Sequence, residues 1–369
     1  MLPSLGMGGA ERQVVALAER MARRGHSILL LVLRERQPEE WPTHLDVIYL
    51  DMHKTPSSIF SSMMRARRLI RQFQPDLVHS HTYPANMAAR MLRLTGVPVQ
   101  ILSTIHNVYE GGWARMIAYR LTDFLSVRTT AVSQTAAGRY VRLKAVPLHK
   151  CSVVTNAIDT TEFAPDPQRR VQMRDRLSAV EDFIWLAAGR IVPAKDYPNL
   201  LQAFTEVRAA WPGTQLWIAA ETTGAEYDRV KAHAAELGLD QLIRWLGLRR
   251  DMPALLDAAD AFVLASAWEG MPLALGEAMA MEKPAVATDV GGVRELVGAT
   301  VPLVPAKSAE RLAEAMLALM RTTGADREQQ GRVARERVAT GFSIDARADE
   351  WEKLYRALLA ETPAATTAA

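Results

Sequence analysis

Along the chain, short runs of consecutive apolar residues alternate with longer stretches in which apolar residues recur every three or four positions. The runs predict strands, and the recurrent stretches predict amphipathic helices. In the first half strands are expected over 27–33, 46–50, 76–80, 99–104, 129–133 and 151–155, with helices over 10–24, 57–74, 86–94, 113–125 and 134–143. The second half repeats the theme. Its strands are expected over 183–189, 215–220, 243–246, 261–264, 284–288 and 301–304, and its helices over 198–211, 227–237, 252–256, 272–281 and 309–320. Strands that are apolar throughout are buried on both faces, and their alternation with helices implies parallel pairing. Two such series predict an α/β protein of two Rossmann-like, doubly wound domains.

Ala164-Pro165-Asp166-Pro167 breaks both periodicities, and a polar helix follows it. The expected domains are therefore 1–165 and 166–344. A last amphipathic helix is expected over 345–360, followed by a Thr/Ala-rich, disordered tail over 361–369. A doubly wound sheet needs a central strand ahead of its first helix. Only Met1 and Leu2 are placed to supply one, so the first strand of the amino-terminal domain is expected to be truncated by several residues.

Composition narrows the class. Cys151 is the only cysteine of 369 residues, so no disulfide framework forms. The longest purely apolar stretch, 28–33, is far short of the ~20 residues that cross a bilayer. No charged head precedes a long apolar run, so the expected location is the cytoplasm. The net charge of +3 is unevenly placed: residues 1–165 carry 20 Lys and Arg against 12 Asp and Glu, and the remainder 24 against 29. Such asymmetry points the first half toward an anionic surface. The helix over 57–74 sets Arg65, Arg67, Arg68 and Arg71 beside Ile59, Phe60, Met63, Ile70 and Phe73. A basic amphipathic helix can lie on anionic lipid. A core-facing helix with a solvated basic face fits equally well. Nothing interleaves these cations with exposed aromatics, so nucleic acid is not the expected partner.

The densest chemical signal is the segment from Trp268 to Met279, which follows the strand over 261–264. Pro272 suits a first helical position. Glu269 then lies in the loop at the strand's carboxyl end, and Glu277 lies in the second turn of the helix. The amides of Gly270, Met271 and Leu273 would open toward the crevice above the sheet, and a helix N-terminus attracts anions. Carboxylates beside it can accept hydrogen bonds from sugar hydroxyls. Two solvated glutamates on a capped helix would be the bland alternative. A second signal is Gly189-Arg190 with Lys195, again after a strand. Gly189 permits a sharp turn. Arg190 and Lys195 would clamp a diphosphate where open α/β sheets bind ligands; alone they would be ordinary surface cations. Gly8 and Gly9 open the first helix without making a dinucleotide fingerprint. His106 follows the strand over 99–104 and could hydrogen-bond a substrate, although a lone histidine is more often structural. His79 and His81 follow another strand end. With no His-Glu-x-x-His, Cys pair or Asp-x-Asp in the sequence, no metal is expected.

These residues resemble the retaining family 4 glycosyltransferases (glycosyl transferases group 1) of GT-B fold. Glu269 with Glu277 is similar to their Glu-x7-Glu motif, and Gly189-Arg190 with Lys195 to their diphosphate site. Residues 153–159 with Phe163 resemble their interdomain segment, Gly8-Gly9-Ala10-Glu11 their first glycine loop, and Asp289-Val290-Gly291-Gly292 a further loop. The resemblance runs from about Leu2 to Tyr355. It implies two domains facing a cleft, with the first binding the acceptor and the second a nucleotide sugar, and a last helix that crosses back to the first domain. By the same resemblance Glu277 holds the ribose hydroxyls, while Glu269 faces the donor sugar. Gly270, Met271 and Leu273 offer amides, Gly247 and Leu248 lie along the base, and Arg190 and Lys195 neutralise the leaving diphosphate. His106 meets the donor sugar or acceptor, and Gly8 and Gly9 approach the reacting centre. Two departures stand out. The family's Gly-Asp-Gly-Pro is replaced by 220–224, Ala-Glu-Thr-Thr-Gly, and Ala157 stands where a glycine is usual.

The expected activity is transfer of a hexose-type sugar from a nucleotide-diphospho-sugar, such as a UDP-sugar, to a hydroxyl, with retention and without a cofactor. The basic first half suggests a lipid-linked acceptor at the inner face of a membrane, in polysaccharide or lipopolysaccharide synthesis. A nucleotide-sugar epimerase or hydrolase, or a non-catalytic lipid-binding protein, remains as an alternative.

Overall fold

The computed structural model describes residues 1–179 and 182–361, so the tail expected over 361–369 lies outside the described residues beyond its first position. The chain divides into two compact units, Met1–Ala157 with the chain from Ile344 onward, and Ile158–Ser343. The division falls eight residues before the boundary expected after residue 165. Residues 158–165 stay with the second unit because Phe163 is buried and because Arg335 donates to the carbonyls of Phe163 and Thr160.

The first unit holds β1 (Leu29–Val32) paired with β2 (Asp46–Tyr49), and a second sheet of β3 (Leu77–His81), β4 (Gln100–Ile105), β5 (Arg128–Ala131) and β6 (Cys151–Val153). All pairings are parallel. Met1 and Leu2 lie between β1 and β3. The Leu2 amide donates to Leu31 O at 2.9 Å, and Met1 O accepts from the His81 amide at 3.1 Å. The helix Ile344–Ala360 returns to this unit. Trp351 and Leu358 enter a core with Leu17, Met21, Leu102 and Val154, and Arg20 pairs with Asp345 at 2.6 Å.

The interior of the first unit is partly polar. Arg90 is fully buried and forms no ion pair among the described residues; its guanidinium donates to Tyr119 O, Thr122 Oγ1, Thr129 Oγ1 and Ser103 Oγ at 2.9–3.3 Å. Tyr119 continues the network by donating to Glu110 at 3.1 Å, while Glu110 also accepts the His106 amide at 2.9 Å. Burial pushes the Glu110 carboxyl up to about 7, against the opposing pull of those donors.

The second unit is one six-stranded parallel sheet in the order β12 (Leu303–Val304), β11 (Ala285–Thr288), β10 (Ala261–Leu264), β7 (Phe183–Ala188), β8 (Thr214–Ala219) and β9 (Ile243–Trp245). Every run expected to be a strand forms one, with ends shifted by one or two residues. Pro272 caps the helix Leu273–Ala280 instead of occupying its first turn. The helix Gly324–Gly341 has no counterpart in the sequence reading, because its few apolar residues make no 3.6-residue stripe. It packs through Gly331, where an added Cβ would stand 2.0 Å from the Glu282 carbonyl oxygen.

Gly331→Ala should therefore lower stability by about 2–4 kcal/mol, since backbone overlap outweighs the ~1 kcal/mol gained in helix propensity. Gly138→Ala meets open space in the helix Gln134–Arg142 and should leave stability unchanged or raise it. Thermal melts of the two variants check this contrast. A carboxyl whose folded value lies above its unfolded one stabilises fully at low pH and loses that contribution as pH rises. Between about pH 4.5 and 7 this carboxyl by itself therefore lowers stability as pH rises, by at most ~1.4 kcal/mol per pH unit, while the buried His79, His81 and His106, whose pKa values burial lowers, act in the opposite sense. Glu110→Gln, which keeps an acceptor, should remove the carboxyl's contribution, so that across the same range its stability rises more with pH than the wild type's in denaturant titrations.

Candidate active site

In the second unit β7 and β10 are neighbours although they are the first and fourth strands, with Ala261 opposite Trp185. Strand order reverses there, so the connections leaving their carboxyl ends diverge and open a crevice where doubly wound sheets bind ligands. Glu269 and Lys195 sit on the loops that follow these two strands.

The loop after β7 begins at Gly189, whose φ of +140° is left-handed. A Cβ at this position would lie 2.9 Å from Lys195 Cε, so glycine leaves room for the lysine to fold back over the turn. The Tyr197 hydroxyl fixes the same turn by donating to Gly189 O at 2.7 Å. Burial pushes that phenol's pKa up, and the nearby Glu269 charge adds to the shift. Lys195 Nζ ends 2.6 Å from Glu269 Oε1. The same oxygen accepts from Ser266 Oγ at 2.7 Å. Glu269 is only 7% exposed, and two donors on one oxygen hold it in place. Arg190 is exposed and forms no ion pair among the described residues, so its charge is available.

The loop after β10 is tied on both sides. Ala267 N donates to Ala194 O at 2.8 Å, and Gly292 N donates to Gly270 O at 2.9 Å. Gly291, with φ +54°, lies so close to Glu269 that a Cβ would stand 1.8 Å from its carbonyl oxygen. Thr288 Oγ1 donates to Ser266 O at 2.7 Å. The loops after β7, β10 and β11 thus form one hydrogen-bonded ledge. Glu277 lies buried in the helix Leu273–Ala280, next to Gly276, which packs against Ile158. Gly270 and Met271 are also buried, and Leu273 is half-buried. Gly247 (φ +71°) and Leu248 follow β9, and Gly247 faces Thr222 Oγ1 of the departed 220–224 loop.

The first unit places its residues separately. His106 follows β4, with Nε2 3.1 Å from His81 Nδ1, while its own Nδ1 is buried without a hydrogen-bond partner among the described residues. Burial lowers its pKa to about 4, so the ring is neutral near pH 7. His79 is structural: it bonds Tyr355 OH at 2.8 Å and Thr104 Oγ1 at 2.6 Å, and packs against Trp351. Burial lowers the pKa values of His79 and His81 strongly. Gly8 caps the helix Gly9–Arg23, and the Glu11 carboxylate lies against it, so that N-terminus already faces an anion. On the helix Pro56–Phe73, Met63 and Ile70 are buried, but Ile59, Phe60 and Phe73 are exposed. Arg67 and Arg71 donate to the carbonyls of Thr95 and Gly96, and Arg65 pairs with Asp51.

Sequence reasoning missed Ser266, Tyr197 and Thr288, which position the site. Only the Gly291-Gly292 pair signalled the close approach of a neighbouring loop.

A family model described as Glycosyl transferases group 1 matches residues 168–337, and one described as Glycosyltransferase Family 4 matches residues 7–162. The chain is 24% identical over 309 residues to the UDP-Gal:alpha-D-GlcNAc-diphosphoundecaprenol alpha-1,3-galactosyltransferase of Escherichia coli, covering 80% of this chain and 78% of that one. It is 27% identical over 274 residues to a GDP-mannose-dependent phosphatidylinositol monomannoside mannosyltransferase of Mycobacterium tuberculosis, covering 70% of each. Among solved structures, Anabaena Alr3699/HepE in complex with UDP-glucose superposes with a TM-score of 0.84 at 19% identity, over 96% of this chain and 98% of that one. A glycosyltransferase from Rickettsia africae superposes with a TM-score of 0.81 at 19% identity, over 98% of each chain. With both halves matched and the architecture shared, the chain belongs to the group 1, family 4-like glycosyltransferases and has the GT-B fold.

Proposed function

We propose that the second unit binds a nucleoside-diphosphate sugar and that the enzyme transfers a hexose-type sugar, with retention, to a hydroxyl of a lipid-linked or polysaccharide acceptor in cell-surface glycan synthesis. The observation that carries this reading is the 2.6 Å contact of Lys195 with Glu269, made between the loops after the first and fourth strands. The relatives support it in kind: the Escherichia coli protein is named for a UDP-Gal donor and a diphosphoundecaprenol-linked acceptor, and Anabaena Alr3699/HepE binds UDP-glucose.

When the bond between the anomeric carbon and the diphosphate oxygen breaks, positive charge develops on the sugar ring and negative charge on the leaving diphosphate. Fixed cations aimed at the diphosphate stabilise that charge best in a water-poor crevice. Arg190 supplies a planar fork and Lys195 a point charge. Lys195 is pre-placed by Glu269 and Gly189, so little reorganisation is needed when an anion arrives. Glu269, held from one side by Ser266, keeps a second oxygen for a donor-sugar hydroxyl. Glu277 accepts from the ribose hydroxyls, the amides of Gly270, Met271 and Leu273 face sugar and phosphate, and Gly247 with Leu248 flanks the base. His106, neutral in its buried setting, acts as a hydrogen-bonding group toward sugar or acceptor. The two cations carry the diphosphate's charge without a metal.

Lys195→Ala should lower kcat by about 100- to 1,000-fold, equivalent to ~3–4 kcal/mol, at a temperature where the variant is still fully folded. Release of nucleoside diphosphate, measured beside a thermal melt, checks this. Turnover should persist in excess chelator, and a chelator-abolished reaction restored by a divalent ion would refute the cation clamp. A panel of nucleotide sugars should contain one that raises Tm, since a ligand at ~100 times its Kd stabilises the folded state by about 2.7 kcal/mol. NMR of the product's anomeric configuration tests retention.

A further inference from the structure

Residues 111–150 of the first unit contain seven Arg and Lys and one acidic residue, Asp123. Lys150 holds that acid at 3.2 Å. The same stretch leaves large apolar side chains uncovered: Trp113 is 78% exposed, Leu121 67%, Phe124 72% and Leu148 75%. In the helix Trp113–Leu121 and the turn Asp123–Leu125, Met116, Tyr119 and Leu125 face the core, while Trp113, Leu121 and Phe124 project on the other side. Phe124 and Leu148 come from different segments yet line one shallow hollow of about 530 Å³, and Arg120 and Lys144 line it too. Arg120, Arg142 and Lys144 are exposed and form no ion pair among the described residues. Scattered single hydrophobes need no explanation, but several converging ones rimmed by free charge of one sign mark an interaction face.

We propose that this face seats the enzyme on an anionic lipid bilayer, with Trp113, Leu121, Phe124 and Leu148 entering the headgroup–acyl boundary and Arg120, Arg142 and Lys144 contacting the headgroups. The lipid-linked acceptor of the proposed function gives the contact its purpose, and the choice of partner rests on that reading. Charge decides for lipid: the rim is uniformly cationic, and its only acid is already bound by Lys150. Aromatic and leucine tips within a Lys/Arg rim are the make-up of elements that lie in a membrane interface. Each cation near an anionic leaflet adds ~1 kcal/mol. No described helix is long and apolar enough to cross a membrane, so the contact is peripheral. The arginine helix Pro56–Phe73 is the weaker candidate, because Arg65, Arg67 and Arg71 are already engaged.

Sedimentation of the full chain with vesicles tests the assignment. Binding should occur to phosphatidylcholine vesicles doped with phosphatidylglycerol, weaken with salt, and be at least about tenfold weaker on pure phosphatidylcholine. The double variant Phe124→Ser, Leu148→Ser should lose at least about tenfold in affinity for the anionic vesicles, as should Arg120→Gln, Lys144→Gln. The variant Arg65→Gln, Arg68→Gln should change it less than about twofold. The Trp113 emission should shift to the blue on binding, a shift absent in Trp113→Phe. Failure of the wild-type chain to sediment, retention of binding by both double variants, loss on altering the arginine helix instead, or a change of oligomeric state without vesicle binding would each overturn the assignment. Sugar transfer to a short soluble acceptor should be unaffected in the face variants. If no nucleotide sugar is turned over while vesicle binding behaves as stated, the transfer reading fails and the lipid face stands.

Discussion

A single ion pair, between Lys195 and Glu269, holds the chemical centre of the second unit together. Both partners are largely withdrawn from water, and such a pair is costly unless its remaining hydrogen-bonding capacity is met. Ser266 meets part of it on the acid, and the lysine stem lies in the space that Gly189 leaves open. The pair in turn fixes the distance between the loops after β7 and β10. That distance cannot drift, because Ala194 O and Gly270 O accept amides from the adjoining loops. In the proposed reaction an arriving diphosphate would therefore meet a cation already in position. The electrostatic work of assembling the site was done during folding, as preorganised catalysis requires.

Much of this was legible because chemistry and conformation spoke together in the sequence. Ala261–Leu264 is apolar at every position, so it had to be a buried parallel strand, and Glu269 then had to stand at its carboxyl end. Gly189 before two cations marked a turn that only glycine makes easily. What stayed hidden were contacts between segments far apart in the chain. Nothing local to Ser266 says that its hydroxyl meets Glu269, and nothing local to Gly331 says that a carbonyl lies 2.0 Å from where a Cβ would be. The helix Gly324–Gly341 was invisible because tertiary packing through glycine and alanine, rather than an apolar stripe, stabilises it. The proline-rich stretch misled for the opposite reason: it breaks local periodicity, yet Arg335 and the buried Phe163 bind the residues before it into the second unit.

The two units solve the problem of burying polar groups differently. The second buries acids against cations, Glu269 with Lys195 at its strand ends and Asp257 with Arg169. The first buries a whole guanidinium, that of Arg90, among hydroxyls and a carbonyl, and continues through Tyr119 to Glu110 and the His106 amide. Networks of this kind tolerate little loss, since each member left unpaired in a low-dielectric interior costs its full desolvation. The same dryness keeps the His106 ring uncharged near pH 7.

The return of Ile344–Ala360 has a consequence for how the chain matures. Trp351 covers His79, and Tyr355 bonds it, so the first unit's interior is sealed by residues made after the entire second unit. A nascent chain emerging from the ribosome must carry an unsealed amino-terminal half for the roughly ten to forty seconds that synthesis of the intervening segment takes. Over that interval the second unit, whose residues are contiguous, is free to fold first, and the half that was made earliest finishes last.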